Sequence, residues 1–374
     1  MIKNFLISLV NFYKFFLINK KEKDFVFYSE SKYYREHFID LINSLIHFKQ
    51  KKIIFITSDF DDYHFFKDKI KCFYVPSVFF IKVLFITLNC RFLIMTLTDL
   101  GNHLLKSKNC EKYVYFFHAL ASTHEIYTNT AFSNYDIILS NGKYQEKELI
   151  FNENLLNTPK KEIINTGYFF LDYIKNNSNQ DRVTISNILF APSWNYNETN
   201  LFNNQSINII ETLLRNNFSV TLRPHPEHYK RSITVLKKIK KHFYKDKNFL
   251  LDNNLSNIES MEKAELIITD NSSIVFEYVL IFKRPIIYID YKKKIHNIDR
   301  KKIPIKTIED EFRKIFGKKI SWEDLNDLPN LCMNLIKENK IDKNKVDTFI
   351  KQNISNFGFS ANFAASYLIK KLNY

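Results

Sequence analysis

The stretch AELIITDNSSIVFEYVLIFKRPIIYID, residues 264–290, decides the fold. Leu266, Ile267 and Ile268 make a short apolar run that ends in Thr269-Asp270-Asn271-Ser272-Ser273, and a second apolar run covers 286–289. Between the two lies a helical segment opened by Ser272 and Ser273, which are good N-cap residues, with Glu277 on its first turns. Strand, turn, helix and strand in this order are one unit of an α/β fold. A helix N-terminus offers free N–H groups and the positive end of a dipole. Such a turn can hold a phosphate without a glycine-rich loop. The segment therefore reads as the place where an activated phosphate donor is held.

The same alternation runs outward through the chain. Apolar, strand-like runs fall at 25–28, 53–57, 92–96, 113–117, 136–140 and 163–165 in the first half. The apolar run 72–88 fits neither pattern cleanly. Residues 176–181, NNSNQD, are the most linker-like stretch. After it, strand-like runs recur at 188–191, 219–223, 249–251, 266–269 and 286–289. Two such units around one linker predict an α/β chain of two facing Rossmann-like domains with parallel sheets and a cleft between them.

Bulk composition narrows the classes. The chain has 374 residues, 45% of them hydrophobic, enough for two domains with real cores. Its net charge of +15 favours an anionic partner: a phosphate substrate, an anionic membrane or nucleic acid. The lysines are scattered rather than gathered into one arm, and no recognition motif is present, which disfavours nucleic acid. Only five glycines occur, and neither a Walker loop nor GxGxxG can be written. Kinase, ATPase and dehydrogenase readings are weakened accordingly. Cys72, Cys90, Cys110 and Cys332 form no CxxC pair and fit reduced thiols in a cytoplasmic protein.

The N-terminal residues 1–19 are aromatic-rich but interrupted by Lys3, Asn4, Asn11 and Lys14, and they carry no small-residue cleavage site. An amphipathic helix on a membrane surface and an ordinary first helix packed on the fold both suit them.

Four segments follow strands, where ligands bind in open α/β sheets. The first is Phe117-His118-Ala119-Leu120-Ala121-Ser122-Thr123-His124. A histidine at a strand end suits a general base near neutral pH, and a hydrogen-bonded structural histidine is the plainer alternative. His124 is the weaker of the two histidines. The second segment is Ala191-Pro192-Ser193-Trp194, and the third is Leu222-Arg223-Pro224-His225-Pro226. The two prolines keep the third extended, so Arg223 and His225 project in similar directions. A guanidinium suits bidentate phosphate contact, and an imidazole can donate to a phosphate or move a proton. A rigid surface loop with an exposed histidine is the plain alternative. The fourth segment is the 269–273 turn. Asp59-Phe60-Asp61 has the form of a metal-binding DxD triplet, a signal too short to outweigh an ordinary acidic loop.

Together APSW at 191–194, LRPHP at 222–226 and ITDNSSIVFEYVLIFKRPIIYID at 268–290 resemble the CDP-glycerol glycerophosphotransferase family of teichoic-acid primases and polymerases, whose pattern related capsule polymerases share. The resemblance is strong over 186–290 and looser over 113–170. It implies a GT-B architecture without a metal-binding DxD and without a cofactor. With the reading of the residues it divides the chain into four segments: 1–23, which suit an amphipathic membrane-surface helix; 24–180, the acceptor-side domain; 181–359, the domain on which the family holds the donor nucleotide; and 360–374, whose helical pattern suits packing back on the first domain. His118 matches the proposed general base. Arg223 and His225 match the donor-phosphate segment, with His225 also catalytic. Thr269, Asp270, Ser272 and Ser273 match the donor turn, and Glu277 the acidic position after it. Three departures stand out: Ala119 follows His118 where the family has glycine, Asn271 replaces an aromatic residue, and Glu277 stands where Asp is common.

The implied reaction moves glycerol phosphate, or a similar polyol phosphate, from a CDP-activated donor to a cell-surface polymer or lipid-linked acceptor, with release of CMP. The implied location is cytoplasmic, peripheral at the inner face of the cell membrane. A GT-B glycosyltransferase or epimerase using a nucleotide sugar is the nearest alternative, because one fold hosts several chemistries. A catalytically idle, membrane-associated binding module is a second.

Overall fold

The computed structural model describes residues 2–98, 100–195, 201–291, 295–338 and 341–372. Met1 and residues 373–374, the outermost positions of the first and last predicted segments, lie outside the described residues. The chain forms two compact units. The first comprises Met1–Ala119, Tyr127–Tyr173 and Asn353–Tyr374, and the second Leu120–Ile126 and Ile174–Gln352.

The first unit is built on β1 (Phe25–Ser29), β2 (Ile53–Thr57), β3 (Lys71–Tyr74), β4 (Cys90–Met95), β5 (Cys110–Phe116), β6 (Ile137–Ser140) and β7 (Glu162–Asn165). All pairings are parallel, in the order β3-β2-β1-β4-β5-β6-β7. β1 and β2 are buried along their whole length, which is why FVFYS and IIFIT read as continuous apolar runs rather than alternating ones.

The second unit holds β8 (Asn187–Phe190), β9 (Ser219–Leu222), β10 (Phe249–Leu251), β11 (Leu266–Thr269), β12 (Ile286–Asp290) and β13 (Gly317–Ser321). These are also all parallel, in the order β10-β9-β8-β11-β12-β13. In each sheet the strand order reverses beside the first strand, between β1 and β4 and between β8 and β11. The carboxyl ends at such a reversal are where doubly wound sheets bind ligands.

Two strands lie outside the sequence expectation, β3 and β13, and both are sheet edges. Their sequences, KCFY and GKKIS, carry the exposed lysines that protect an edge, and this dilutes the apolar signal. The rest of the ambiguous 72–88 run is the helix Val78–Thr87.

The chain passes between units at other points than the composition of 176–181 suggests. Residues 174–180 group with the second unit, where Arg284 Nη2 donates to the Gln180 carbonyl at 2.5 Å and Asn179 N to Glu262 Oε1 at 2.6 Å. Residues 353–359 group with the first: Ser355 N donates to the Asn141 carbonyl at 3.0 Å, and Gly358 N to Asp172 Oδ1 at 2.7 Å. Gly167 (φ +98°) is the close approach here, since a Cβ on it would stand 2.1 Å from the Ser355 carbonyl oxygen. The last helix, Ser360–Leu372, buries Ala361, Ala364, Ala365 and Leu368 in the core of the first unit, against the helix Arg35–His47.

The first helix, Ile2–Phe16, packs on the fold and is apolar on its outer side as well. Ser8 and Phe15 are buried, and Phe5 and Phe12 meet Phe80 of the helix Val78–Thr87. Ile2, Leu6, Leu9, Val10, Tyr13 and Leu17 face outward. Among the described residues, no helix is long and apolar enough to cross a membrane.

Candidate active site

His118 stands two residues past the end of β5, and Thr96 one residue past the end of the adjacent β4. Thr96 Oγ1 and His118 Nδ1 are hydrogen-bonded at 2.6 Å. The imidazole meets Tyr34 edge-on at 5.1 Å and His37 at 6.1 Å, and the Tyr168 hydroxyl donates to the His118 carbonyl at 3.1 Å. Burial pushes the His118 imidazole down to about 4, so it is neutral at physiological pH. A neutral ring can accept a proton. The neighbouring His37 is also driven well below the ordinary histidine range, by burial first and by His118 second.

The residues after His118 belong elsewhere. Leu120–Ile126 is part of the second unit, where Ser122 N donates to Glu309 Oε1 at 3.1 Å and Ile308 N to Ser122 Oγ at 2.9 Å. His124 is buried in the short helix Thr123–Ile126, and its carbonyl accepts from Asn297 Nδ2 at 2.8 Å. That backbone role fits the lesser weight its sequence position carries.

In the second unit the three remaining motifs meet, because β9, β8 and β11 are neighbours and each motif follows one of them. Asp270 ties them together. Its Oδ1 accepts from Ser193 N at 2.7 Å, and its Oδ2 accepts from Ser193 Oγ at 2.9 Å and Leu201 N at 3.3 Å. Thr269 Oγ1 donates to the Ala191 carbonyl at 2.6 Å. Both side chains are buried, and their bonds fasten the turn to the Ala191–Trp194 loop. His228 does the same from the third motif, with Nε2 at 3.2 Å from the Ser193 carbonyl and its ring stacked on Phe202.

His225 is exposed and stacks on Trp194, centroids 5.9 Å apart and planes 19° apart. It is the N-cap of the helix Pro226–Arg231, where its Nδ1 accepts from Glu227 N at 3.2 Å. That bond places the ring proton of neutral His225 on Nε2, as a donor. Arg223 does not project freely. Its Nη1 pairs with the buried Asp252 at 2.5 Å and its Nη2 donates to the Leu255 carbonyl at 3.0 Å. Its Nε and two further guanidinium protons complete a fork held rigid by those two bonds.

Ser273 takes the N-cap position of the helix Ile274–Glu277 but makes no side-chain capping bond. Its φ and ψ of −72° and −13° are already helical, whereas a capping hydroxyl turns back from an extended backbone. Among the described residues the hydroxyls of Ser272 and Ser273 make no hydrogen bond and remain available to a ligand. Glu277 is buried at the junction where this helix continues as the π turn Tyr278–Phe282, an irregularity often found at functional sites. Asn271 Oδ1 accepts from Arg313 Nη2 at 2.7 Å. Arg313 and Thr96 are the site neighbours that sequence reading misses, since nothing in a lone arginine or threonine marks the contact.

Asp59 and Asp61 are spoken for. Asp59 caps the helix Phe60–Phe66 and accepts from Lys32 N at 3.0 Å, while Asp61 pairs with Lys32 Nζ at 2.6 Å. Among the described residues no group of three or more His, Cys, Asp or Glu could hold a metal ion.

Two parallel sheets with flanking helices, and the candidate motifs gathered at the strand-order reversal of the second, define a GT-B-like α/β fold. The family model for CDP-glycerol:poly(glycerophosphate) glycerophosphotransferases matches residues 11–311, and the chain belongs to that family. It is accordingly a CDP-glycerol glycerophosphotransferase-type enzyme. No curated protein sequence matches it. Among solved structures it is similar to the wall teichoic acid polymerase TagF, with 16% identity, 100% of this chain and 98% of that chain covered, and a TM-score of 0.59. The S. aureus MnaA–UDP co-structure aligns at 11% identity over 94% and 97% of the two chains, with a TM-score of 0.63. A putative UDP-N-acetylglucosamine 2-epimerase from Listeria monocytogenes aligns at 12% identity over 93% and 96%, with a TM-score of 0.58. At these identities the structural likeness speaks for the fold.

Proposed function

We propose that the chain transfers glycerol phosphate from CDP-glycerol to a hydroxyl of a cell-surface polymer or lipid-linked acceptor, releasing CMP. The observation that carries this reading is the placement of a proton-donating His225 and the rigid Arg223 fork after β9, and of the unbonded Ser272 and Ser273 hydroxyls after β11, on either side of β8. These groups suit a diphosphate. Thr269 and Asp270 serve it indirectly, by holding the turn against the Ser193 loop.

In this reading the second unit is the donor side and the first the acceptor side. The acceptor hydroxyl gives its proton to neutral His118 and its oxygen bonds to the β-phosphorus. The bond from that phosphorus to the bridging oxygen breaks, and the electron pair leaves with CMP. His225 and Arg223 stabilise the charge that develops on the departing phosphate. Rate enhancement comes from positioning and fixed electrostatics.

The outward apolar stripe of Ile2–Phe16, spaced by threes and fours and flanked by exposed Lys3 and Lys14, supports a peripheral position on an anionic membrane face. Flotation with anionic vesicles checks that position, and a Leu6→Glu/Val10→Glu protein is expected to stay behind. A panel of CDP-glycerol, CDP-ribitol, UDP-sugars and CMP-sugars tests the donor. The expected result is turnover of CDP-glycerol, and turnover of a sugar nucleotide alone would overturn the reading.

A further inference from the structure

We propose that Arg313 is a further donor-binding residue, whose guanidinium takes a phosphate of the donor's diphosphate at the 271–273 turn. This rests on the reading of that turn as the donor-phosphate site and adds a cation to it. Arg313 lies in the last turn of the helix Ile308–Phe316, beyond the residues 11–311 that the family model matches. Its Nη2 donates to Asn271 Oδ1 at 2.7 Å, which brings the guanidinium to the turn that holds Ser272 and Ser273. β11, which carries this turn, has β8 and β9 on one side and β12 and β13 on the other. Arg223 and His225 follow β9, and the helix of Arg313 leads into β13. The turn therefore has a cation to either side.

Arg313 is half-buried, yet among the described residues it makes no ion pair. The other sheltered arginines of the second unit are satisfied: Arg223 by Asp252, Arg300 by Glu125, and Arg284 by the carbonyls of Gln180, Glu262 and Ala264. Glu309, one turn back on the helix of Arg313, is close enough to Tyr288 to add to the upward push that burial gives its phenol. It does not pair with Arg313; its Oε1 accepts from Ser122 N at 3.1 Å. A sheltered charge is stable only with a partner of opposite sign, and here a bound anion supplies it. A basic residue in a helix's last turn also suits the dipole there, a part that the exposed Lys314 fills beside it.

The guanidinium is also held in place. It lies over the Tyr288 ring, 5.1 Å from the centroid, while Asn271 takes one of its N–H bonds. Tyr288 is buried on β12, and its ring fits there because β13 begins with Gly317. A Cβ on Gly317 would stand 2.5 Å from Tyr288 Cε2. A guanidinium fixed by a ring face and one hydrogen bond loses little freedom when an anion arrives, and it keeps its other N–H groups for that anion. Its planar fork matches a phosphate, and the hydroxyls of Ser272 and Ser273 are donors of the same sense.

The test is binding of CDP-glycerol, CDP and UDP-sugars to the full chain, measured by calorimetry at low and high KCl for wild type, Arg313→Gln and Arg313→Lys. Arg313→Gln is expected to bind CDP-glycerol about tenfold more weakly, and to lose affinity less steeply as KCl rises, because one charge pair is gone. Arg313→Lys keeps the charge without the fork and is expected to fall between the two. The urea midpoint read by tryptophan fluorescence is expected to stay at the wild-type value in both variants. Wild-type affinity in Arg313→Gln, or weaker binding with the wild-type salt dependence, would overturn the proposal, the second by making Arg313 a structural anchor of the turn. Binding of a UDP-sugar in place of CDP-glycerol by wild type would strike the donor assignment alone, and the same comparison made with that nucleotide would still decide the role of Arg313. A wild-type protein that binds none of these nucleotides would overturn both.

Discussion

Replacing Asp270 by Ala should uncouple the turn from the Ser193 loop, and the size of the effect can be worked from its bonds. The carboxylate is 3% exposed and accepts from two backbone N–H groups and one hydroxyl. A hydrogen bond to a charged group contributes about 1.5–3 kcal/mol, and three around one carboxylate add less than their sum, so a loss of about 3 kcal/mol is expected. Both tryptophans, Trp194 and Trp322, belong to the second unit, so their fluorescence follows the unfolding of that unit alone. With a urea slope of about 2–3 kcal/mol per M, the unfolding midpoint should fall by about 1 M. Ser193→Ala, which removes only the hydroxyl partner, should lower it by about a third of that. An Asp270→Ala midpoint indistinguishable from wild type would refute the reasoning, because the carboxylate would then hold nothing that unfolding releases.

Three further outcomes follow. The acid limb of kcat/KM should inflect near 4, since desolvation of the half-buried His118 disfavours the imidazolium and the proton-accepting form is lost only there; an inflection near 6.5 would contradict that desolvation. The same shift carries a stability sign. From 6.5 down to about 4 the unfolded chain takes up a proton that folded His118 does not, so stability should decline across that window as pH falls. Ser272→Ala and Ser273→Ala should leave stability within about 0.5 kcal/mol of wild type while raising donor KM by about tenfold each, because hydroxyls free of protein partners contribute only when a ligand is bound. An unchanged KM would remove them from the donor site.

What the sequence made legible was what short range and burial write into it. LIIT and IIYID were readable as strands because both of their faces are covered, and the turn between them because Ser, Asn and Asp gather where a helix begins. KCFY and GKKIS were not, because an edge strand needs lysines and so resembles a loop. Asp270 illustrates the second limit. Its place in a strand-end turn was plain, but its partner Ser193 lies 77 residues away, and no local pattern tells a carboxylate that binds a ligand from one that binds a loop. Thr96 was passed over as the last residue of an apolar run. Its meaning comes only from β5 lying beside β4. NNSNQD has the composition of a linker, yet Arg284 and Glu262 hold its backbone to the second unit.

The most direct test of the central claim is the identity of the bond broken in CDP-glycerol. Purified protein, CDP-glycerol and membrane acceptor would be followed by ³¹P NMR and nucleotide chromatography, with His225→Ala alongside. The account predicts CMP and a new phosphodiester in equal amounts, both lost in the variant. Release of CDP, which would mean that glycerol moved without its phosphate, or CMP release undiminished in His225→Ala, would contradict it.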